Sequence, residues 1–190
     1  MPSAADSTAI VLLAGGRARR FPGKLEHRID GRPMLAGCYE RMRAAGWPVY
    51  VSAQGSFSRE LDAEIDAPLL VDRLTGAGPL RAFLGACALI AQRQVFAVAA
   101  DQPQLDAAVL RELVEHRQHG DEAVVPEHDG ATEPLAALYD RIAVLRAGYE
   151  LRANGKSAMR DLIALLRTRF VSCKAKYFRN VNRPEDLLNP

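Results

Sequence analysis

Apolar positions along the chain fall into two recurring patterns. Continuous runs rich in β-branched residues, TAIVLLA (8–14), PVYVSA (48–53), APLLVD (67–72) and QVFAVAA (94–100), predict strands. These runs do not alternate with polar residues, so both faces of each strand are expected to be buried. Between them, apolar residues recur at helical spacing in PMLAGCYERMRAAG (33–46) and GPLRAFLGACALIAQ (78–92). A third helix is predicted over DAAVLRELVEHRQHG (106–120), with Asp106 as N-cap and Gly120 as stop. Strands alternating with helices predict βαβ units, a mainly parallel sheet and helices on both faces.

Beyond residue 120 the pattern loosens. EAVVPEHDGATEPLAALYD (122–140) predicts two strands, antiparallel, joined through a polar turn at His128–Gly130. Helices are expected near 141–152 and 156–168. RFVSCK (169–174) and YFRNVN (177–182) read as extended, and RPEDLL (183–188) as a helical turn. No repeat, low-complexity stretch or linker divides the chain, so residues 1–190 are expected to form one α/β domain.

Composition narrows the setting. A chain of 190 residues can bury a core without disulfides or metal staples. The three cysteines form no C-x-x-C pair, which argues against zinc and fits a reducing cytoplasm. MPSAADSTAI does not read as a signal peptide, and no apolar run approaches the length of a membrane span. The expectation is a soluble, cytoplasmic protein. A net charge of +2 does not call for nucleic acid. The cations matter more for where they cluster.

In an open α/β sheet, ligands bind beyond the carboxyl ends of the strands, where the strand order reverses. That rule selects three loops: GGRARRFPGK after the first strand, DRLTGAG after the third, and the turn beginning at Asp101 in AADQPQL. In the first loop Gly15 and Gly16 allow close backbone approach, while Arg17, Arg20 and Lys24 can cover a triphosphate. It is neither a Walker A loop nor a G-x-G-x-x-G fingerprint, and a Gly-Gly turn with solvated arginines is the alternative. Asp101, at a strand end, is placed to hold Mg²⁺ with substrate phosphates, or simply to cap a turn. Asp72 could meet a base, a ribose or the metal shell, or start the glycine-rich turn. Glu133 sits in the predicted hairpin and could be ordinary surface. The four histidines show no partner pattern, and Cys38 and Cys87 fall at core positions.

Taken together, LAGGRARR…GK, DRLTGAGPL, AADQP and the closing NVNRPEDL resemble the molybdenum cofactor guanylyltransferases in order and spacing over roughly 8–188. The closing segment carries Asn180, Asn182, Pro184, Glu185, Asp186 and Leu187. The resemblance implies a three-layer, Rossmann-like nucleotidyltransferase fold with a small antiparallel addition. It implies GTP and Mo-molybdopterin as substrates, Mg²⁺ as cofactor, and molybdopterin guanine dinucleotide and pyrophosphate as products. GTP would contact Leu13, Ala14, Gly15, Gly16, Arg17, Lys24, Ser52, Asp72 and Asp101. Arg20, Lys24 and Asp101 would act on the triphosphate and its metal, and Glu133, Asn180 and Asn182 would lie on the acceptor side. Gly15 favours guanylyl over cytidylyl transfer in this resemblance. Contacts with other cofactor-biosynthesis proteins or recipient molybdoenzymes would follow. Three departures stand out: only four positions separate Arg20 from Lys24, Ser52 replaces a frequent Asn, and Arg81-Ala82 stands where the family has Ala-Gly after Gly-Pro-Leu. The alternatives are a cytidylyl- or uridylyltransferase with another phosphorylated acceptor, or a catalytically silent nucleotide-binding protein.

Overall fold

The computed structural model describes residues 7–15, 23–71, 78–183 and 185–186. In chain order its elements are β1 (Thr8–Leu13), β2 (Arg28–Ile29), β3 (Arg32–Pro33), α1 (Met34–Arg43), β4 (Val49–Ala53), α2 (Arg59–Glu64) and β5 (Leu69–Val71). There follow α3 (Gly78–Leu89), β6 (Gln94–Ala99), α4 (Ala107–His116), β7 (Ala123–His128), β8 (Ala131–Thr132) and β9 (Ala136–Asp140). The chain continues through α5 (Arg141–Ala153), α6 (Met159–Leu165), β10 (Thr168–Ser172) and a 3-10 turn (Ala175–Phe178). Among the described residues no helix is long and apolar enough to cross a membrane.

The main sheet runs β10-β7-β9-β6-β1-β4-β5, with β8 paired to β7. β1 is parallel to both β4 and β6, while β9 is antiparallel to β6 and to β7. The antiparallel pair expected from 122–140 is therefore present, with β9 inserted between β6 and β7. Helices cover both faces. Ile10 and Leu12 face a core shared with α1, α2 and α4, and Val11 and Leu13 face one shared with α3, α5 and α6. β1 is buried throughout because each successive residue meets a helix layer, and its one polar side chain, Thr8, donates to Gln94 Oε1 at 3.4 Å.

Three readings of the sequence need correction. The strand expected within 67–72 is not buried on both faces, because β5 is the edge strand of the sheet and leaves Leu69 and Val71 exposed. YFRNVN is not extended throughout, because Tyr177 and Phe178 close the 3-10 turn, with Tyr177 N–H donating to Lys174 O at 3.2 Å. Phe178 is thereby turned inward and buried. The helix expected over 156–168 is confined to α6, and Thr168 already opens β10.

At the sheet edge away from the parallel strands' carboxyl ends, ion pairs tie four elements together. Arg93 meets Asp140 at 2.6 Å, Arg146 and Arg167 meet Glu122 at 2.9 and 3.3 Å, and Arg169 meets Asp121 at 2.6 Å. Burial alone would raise these carboxyls. Hydrogen bonds from N–H and guanidinium groups outweigh it and hold all three below their ordinary 3.8 (Asp) or 4.5 (Glu). As pH falls, the unfolded chain, titrating at ordinary values, takes up protons first, so this stabilisation is present above about pH 5 and is lost through pH 4 and below. The Tm gap between wild type and Glu122→Gln should be widest above about pH 5 and should close in more acid solution. A gap that stays constant down to pH 3 would contradict this.

Candidate active site

The strand order reverses at β1, and its neighbours set three strand ends side by side. Leu13 is in register with Ser52 of β4 and with Ala99 of β6. Beyond these ends the chain continues as Ala14–Gly15 and Ala100–Asp101. Ala14 N–H donates to Ser52 O at 2.8 Å, so Ser52, itself buried, visibly supplies its carbonyl to the sheet margin. A Cβ built on the exposed Gly15 would meet Gln54 Cγ at 4.0 Å, an ordinary contact.

The turn carrying Asp101 is fixed from several directions. Ala99 N–H donates to Leu135 O at 2.9 Å and Ala100 N–H to Leu13 O at 3.2 Å. From below, the Cys38 thiol donates to Ala100 O at 3.3 Å. Burial pushes that thiol up to about 11, so Cys38 stays protonated and serves as a donor, not as a nucleophile. From the C-terminal side, Val181 N–H donates to Asp101 O at 2.9 Å. The result is a carboxylate on a braced backbone, with 21% of its side chain exposed.

Lys24 comes to this carboxylate from the other end of the first loop. Its Nζ lies 2.5 Å from Asp101 Oδ2 and 3.4 Å from Val181 O. The turn that delivers it closes through Glu26 N–H to Gly23 O and His27 N–H to Lys24 O. Lys24 thus stands in the crevice beside Asp101. Gly16, Arg17, Arg20 and Asp72 lie outside the described residues.

Val181 also organises the closing segment. It is buried, while Asn180 and Asn182 on either side of it are exposed. Asn182 and Arg183 N–H groups donate to Asp186 Oδ2 at 2.7 and 2.9 Å, and these bonds hold the Asp186 carboxyl below its usual range. The Asp of the closing motif is thus a local cap for the turn after Asn182. Glu133, which reads from sequence as hairpin surface, is largely buried at 18% side-chain exposure.

The donor set suits a hard divalent cation only in partnership with a substrate. Among the described residues no group of three or more His, Cys, Asp or Glu could hold a metal. Mg²⁺, however, accepts one or two carboxylates and completes its shell with phosphate oxygens and water. Asp101, already drawn to a cation at 2.5 Å, has the required charge and access.

The family model of the MobA-like NTP transferase domain matches residues 10–170. The chain belongs to this family. A probable molybdenum cofactor guanylyltransferase of Opitutus terrae is 33% identical over 98% of this chain and 96% of its own. One from Mycobacterium avium is 30% identical, covering 96% and 95%. Among solved structures, molybdopterin-guanine dinucleotide biosynthesis protein A of Archaeoglobus fulgidus superposes with TM-score 0.78 at 21% identity, covering 95% of each chain. As a MobA-like nucleotidyltransferase, the chain shares its fold more widely. A CMP:2-keto-3-deoxy-manno-octonic acid synthetase complexed with CTP gives TM-score 0.73 at 14% identity, covering 95% of each chain.

Three residues behind the MobA-like site were not found from the sequence. Gln102, His128 and Phe178 were unassigned, yet they join Glu133 beside the Asp101 turn. The one available signal was a His and a Glu five positions apart across an Asp-Gly turn.

Proposed function

We propose that this chain transfers GMP from GTP to the terminal phosphate of Mo-molybdopterin, forming molybdopterin guanine dinucleotide and releasing pyrophosphate. The observation that carries the proposal is the Lys24–Asp101 pair at the point where the strand order reverses. It occurs in a chain whose relatives are named as guanylyltransferases of the molybdenum cofactor.

An acceptor phosphate oxygen bonds to the α-phosphorus, and the bond from that phosphorus to the bridging oxygen breaks, its electrons leaving with pyrophosphate. The nucleophile is already ionised at neutral pH, so no general base is required. The protein's task is positioning and charge compensation. Lys24, with Arg20 from the same loop, would bind the triphosphate, and Asp101 would hold Mg²⁺. When bound, Mg²⁺ offsets the negative charge of the phosphoryl oxygens. Leu13, Ala14, Gly15, Gly16, Arg17, Ser52 and Asp72 complete the nucleotide side. Packing among the described residues does not account for the missing Cβ at Gly15, which supports close approach of a nucleotide there. Asn180 and Asn182, exposed on either side of the anchored Val181, face the acceptor.

Cytidylyl-type enzymes share the fold, so the choice of base rests on the named relatives and on Gly15. The test is pyrophosphate release with Mg²⁺ and Mo-molybdopterin, using GTP, CTP and UTP in parallel. Release with GTP well above the other two is expected. Release with CTP alone would move the chain to cytidylyl transfer, and release with none would sink the reading.

A further inference from the structure

A closed circuit of contacts surrounds the Asp101 turn. Gln102, the next residue, is 2% exposed, and its carboxamide N–H donates to Glu133 Oε2 at 3.4 Å. The other carboxylate oxygen of Glu133 meets His128 Nε2 at 3.0 Å. The His128 ring lies flat on Phe178, with centroids 5.2 Å apart and planes 3° from parallel. Three residues on, Val181 returns to Asp101 through its N–H and to Lys24 through its carbonyl.

This is an expensive way to fill the space. Gln102 Oε1 is buried without a hydrogen-bond partner, and His128 Nδ1 has none closer than the Asp129 carboxylate at 3.7 Å. Each such atom carries a desolvation penalty that an apolar side chain of similar shape would avoid. Buried, partly satisfied polar groups in a native core call for a role beyond packing. What these groups do share is position: they link the β6 turn, the β7–β8 hairpin and the segment bearing Asn180 and Asn182.

We propose that Glu133 is a positioning residue. It does not touch the acceptor. It clamps the 178–182 segment to the Asp101 turn, through His128 and Phe178 on one side and Gln102 on the other, and so sets the acceptor half of the site. Both carboxylate oxygens are already engaged inside the protein, which is why the group points to a bracing role. The kinetic consequence rests on the guanylyl-transfer reading; the clamp does not.

Two arms separate the two ideas, using the full chain and the variants Glu133→Ala, Glu133→Gln and Phe178→Leu. In hydrogen exchange, Glu133→Ala should speed exchange of the Val181 amide about tenfold, the loss expected when one hydrogen bond to a charged group is removed. Phe178→Leu, which keeps an apolar side chain there but removes the stacking, should act in the same direction. Glu133→Gln should restore most of the protection. Its oxygen can still accept from Gln102, and its amide can donate to the other His128 tautomer. In kinetics with Mg²⁺, Glu133→Ala should raise KM for Mo-molybdopterin about tenfold and leave KM for GTP within about twofold. Unchanged Val181 exchange in Glu133→Ala overturns the clamp, as do equal rises in both KM values. If wild type transfers nothing, the function reading fails while the exchange arm still decides the clamp.

Discussion

Asp101→Ala is expected to lower kcat for GTP-dependent pyrophosphate release by about 10²–10³-fold or more, the usual cost of removing one preorganised charge from a phosphoryl-transfer site. The backbone at this position is held by Leu13, Leu135, Cys38 and Val181, so the truncated turn should keep its shape. The lost ion pair is partly exposed, and pairs of this kind contribute about 0–1 kcal/mol. Tm should therefore barely move while turnover collapses. Asp101→Asn sharpens the result. Asparagine keeps the size of the side chain and its hydrogen-bond acceptor for Lys24, but not the charge. If Asp101 serves only to steady Lys24, Asn should retain most of the activity. If it holds Mg²⁺ against the triphosphate, Asn should fail nearly as badly as Ala. Near-normal kcat in Asp101→Ala at saturating Mg²⁺ would remove this residue from the mechanism.

β1, β4 and β6 were legible because they are buried on two faces, and β5, exposed at the sheet edge, was legible from its apolar run alone. β1 and β6 read as unbroken apolar runs for that reason alone. What could not be read is where β9 goes. Its residues announce a strand antiparallel to β7, but its insertion beside β6 depends on pairing Phe96 with Leu138 and Val98 with Ala136, contacts set by the whole sheet. α2 escaped because it is six residues long and buries only Leu61, too short a stretch for helical periodicity to appear. The two Asp-Gly turns make an instructive pair. Asp129–Gly130 was read as a turn; Asp30–Gly31, with the same left-handed backbone, was not. Both Asp residues have positive φ, as a type I′ hairpin requires. The first was found because longer apolar strands flank it, whereas β2 and β3 are two residues each.

The site divides along the same line. Lys24 and Asp101 could each be named from local chemistry, as a loop cation and a strand-end carboxylate. Their meeting across 77 residues of chain could not. Gln102 was harder still. A glutamine in a turn looks solvated, yet Gln102 is almost fully buried, and its carboxamide meets Glu133, 31 residues further along the chain. Val181 shows the reverse case. The closing motif drew notice for its asparagines, yet the residue between them supplies the anchor.

Lys24→Ala is expected to be the second severe variant, with kcat/KM for GTP falling about 10²–10³-fold. In the free protein Lys24 neutralises Asp101 at 2.5 Å. The carboxylate and the ammonium therefore hold each other in place, and on the proposed reading each would find a better partner in a triphosphate with its metal. On the guanylyl-transfer reading, exchange of partners would keep the charge balanced, with the Asp101 carboxylate available to Mg²⁺ and the Lys24 ammonium to phosphate oxygens. Without the ammonium, Asp101 is left unpaired in the free protein and a cation on the triphosphate is missing in the complex. Mg²⁺ should thus bind free Lys24→Ala protein more tightly than wild type, while turnover drops, two changes of opposite sign that simple unfolding would not produce. Calorimetry with Mg²⁺ alone, alongside pyrophosphate release, reads both. Lys24→Arg should recover only part of the rate, because a planar fork cannot reproduce the compact ammonium held between Asp101 and the Val181 carbonyl. Full activity in Lys24→Ala would show that the first loop binds the triphosphate without its lysine.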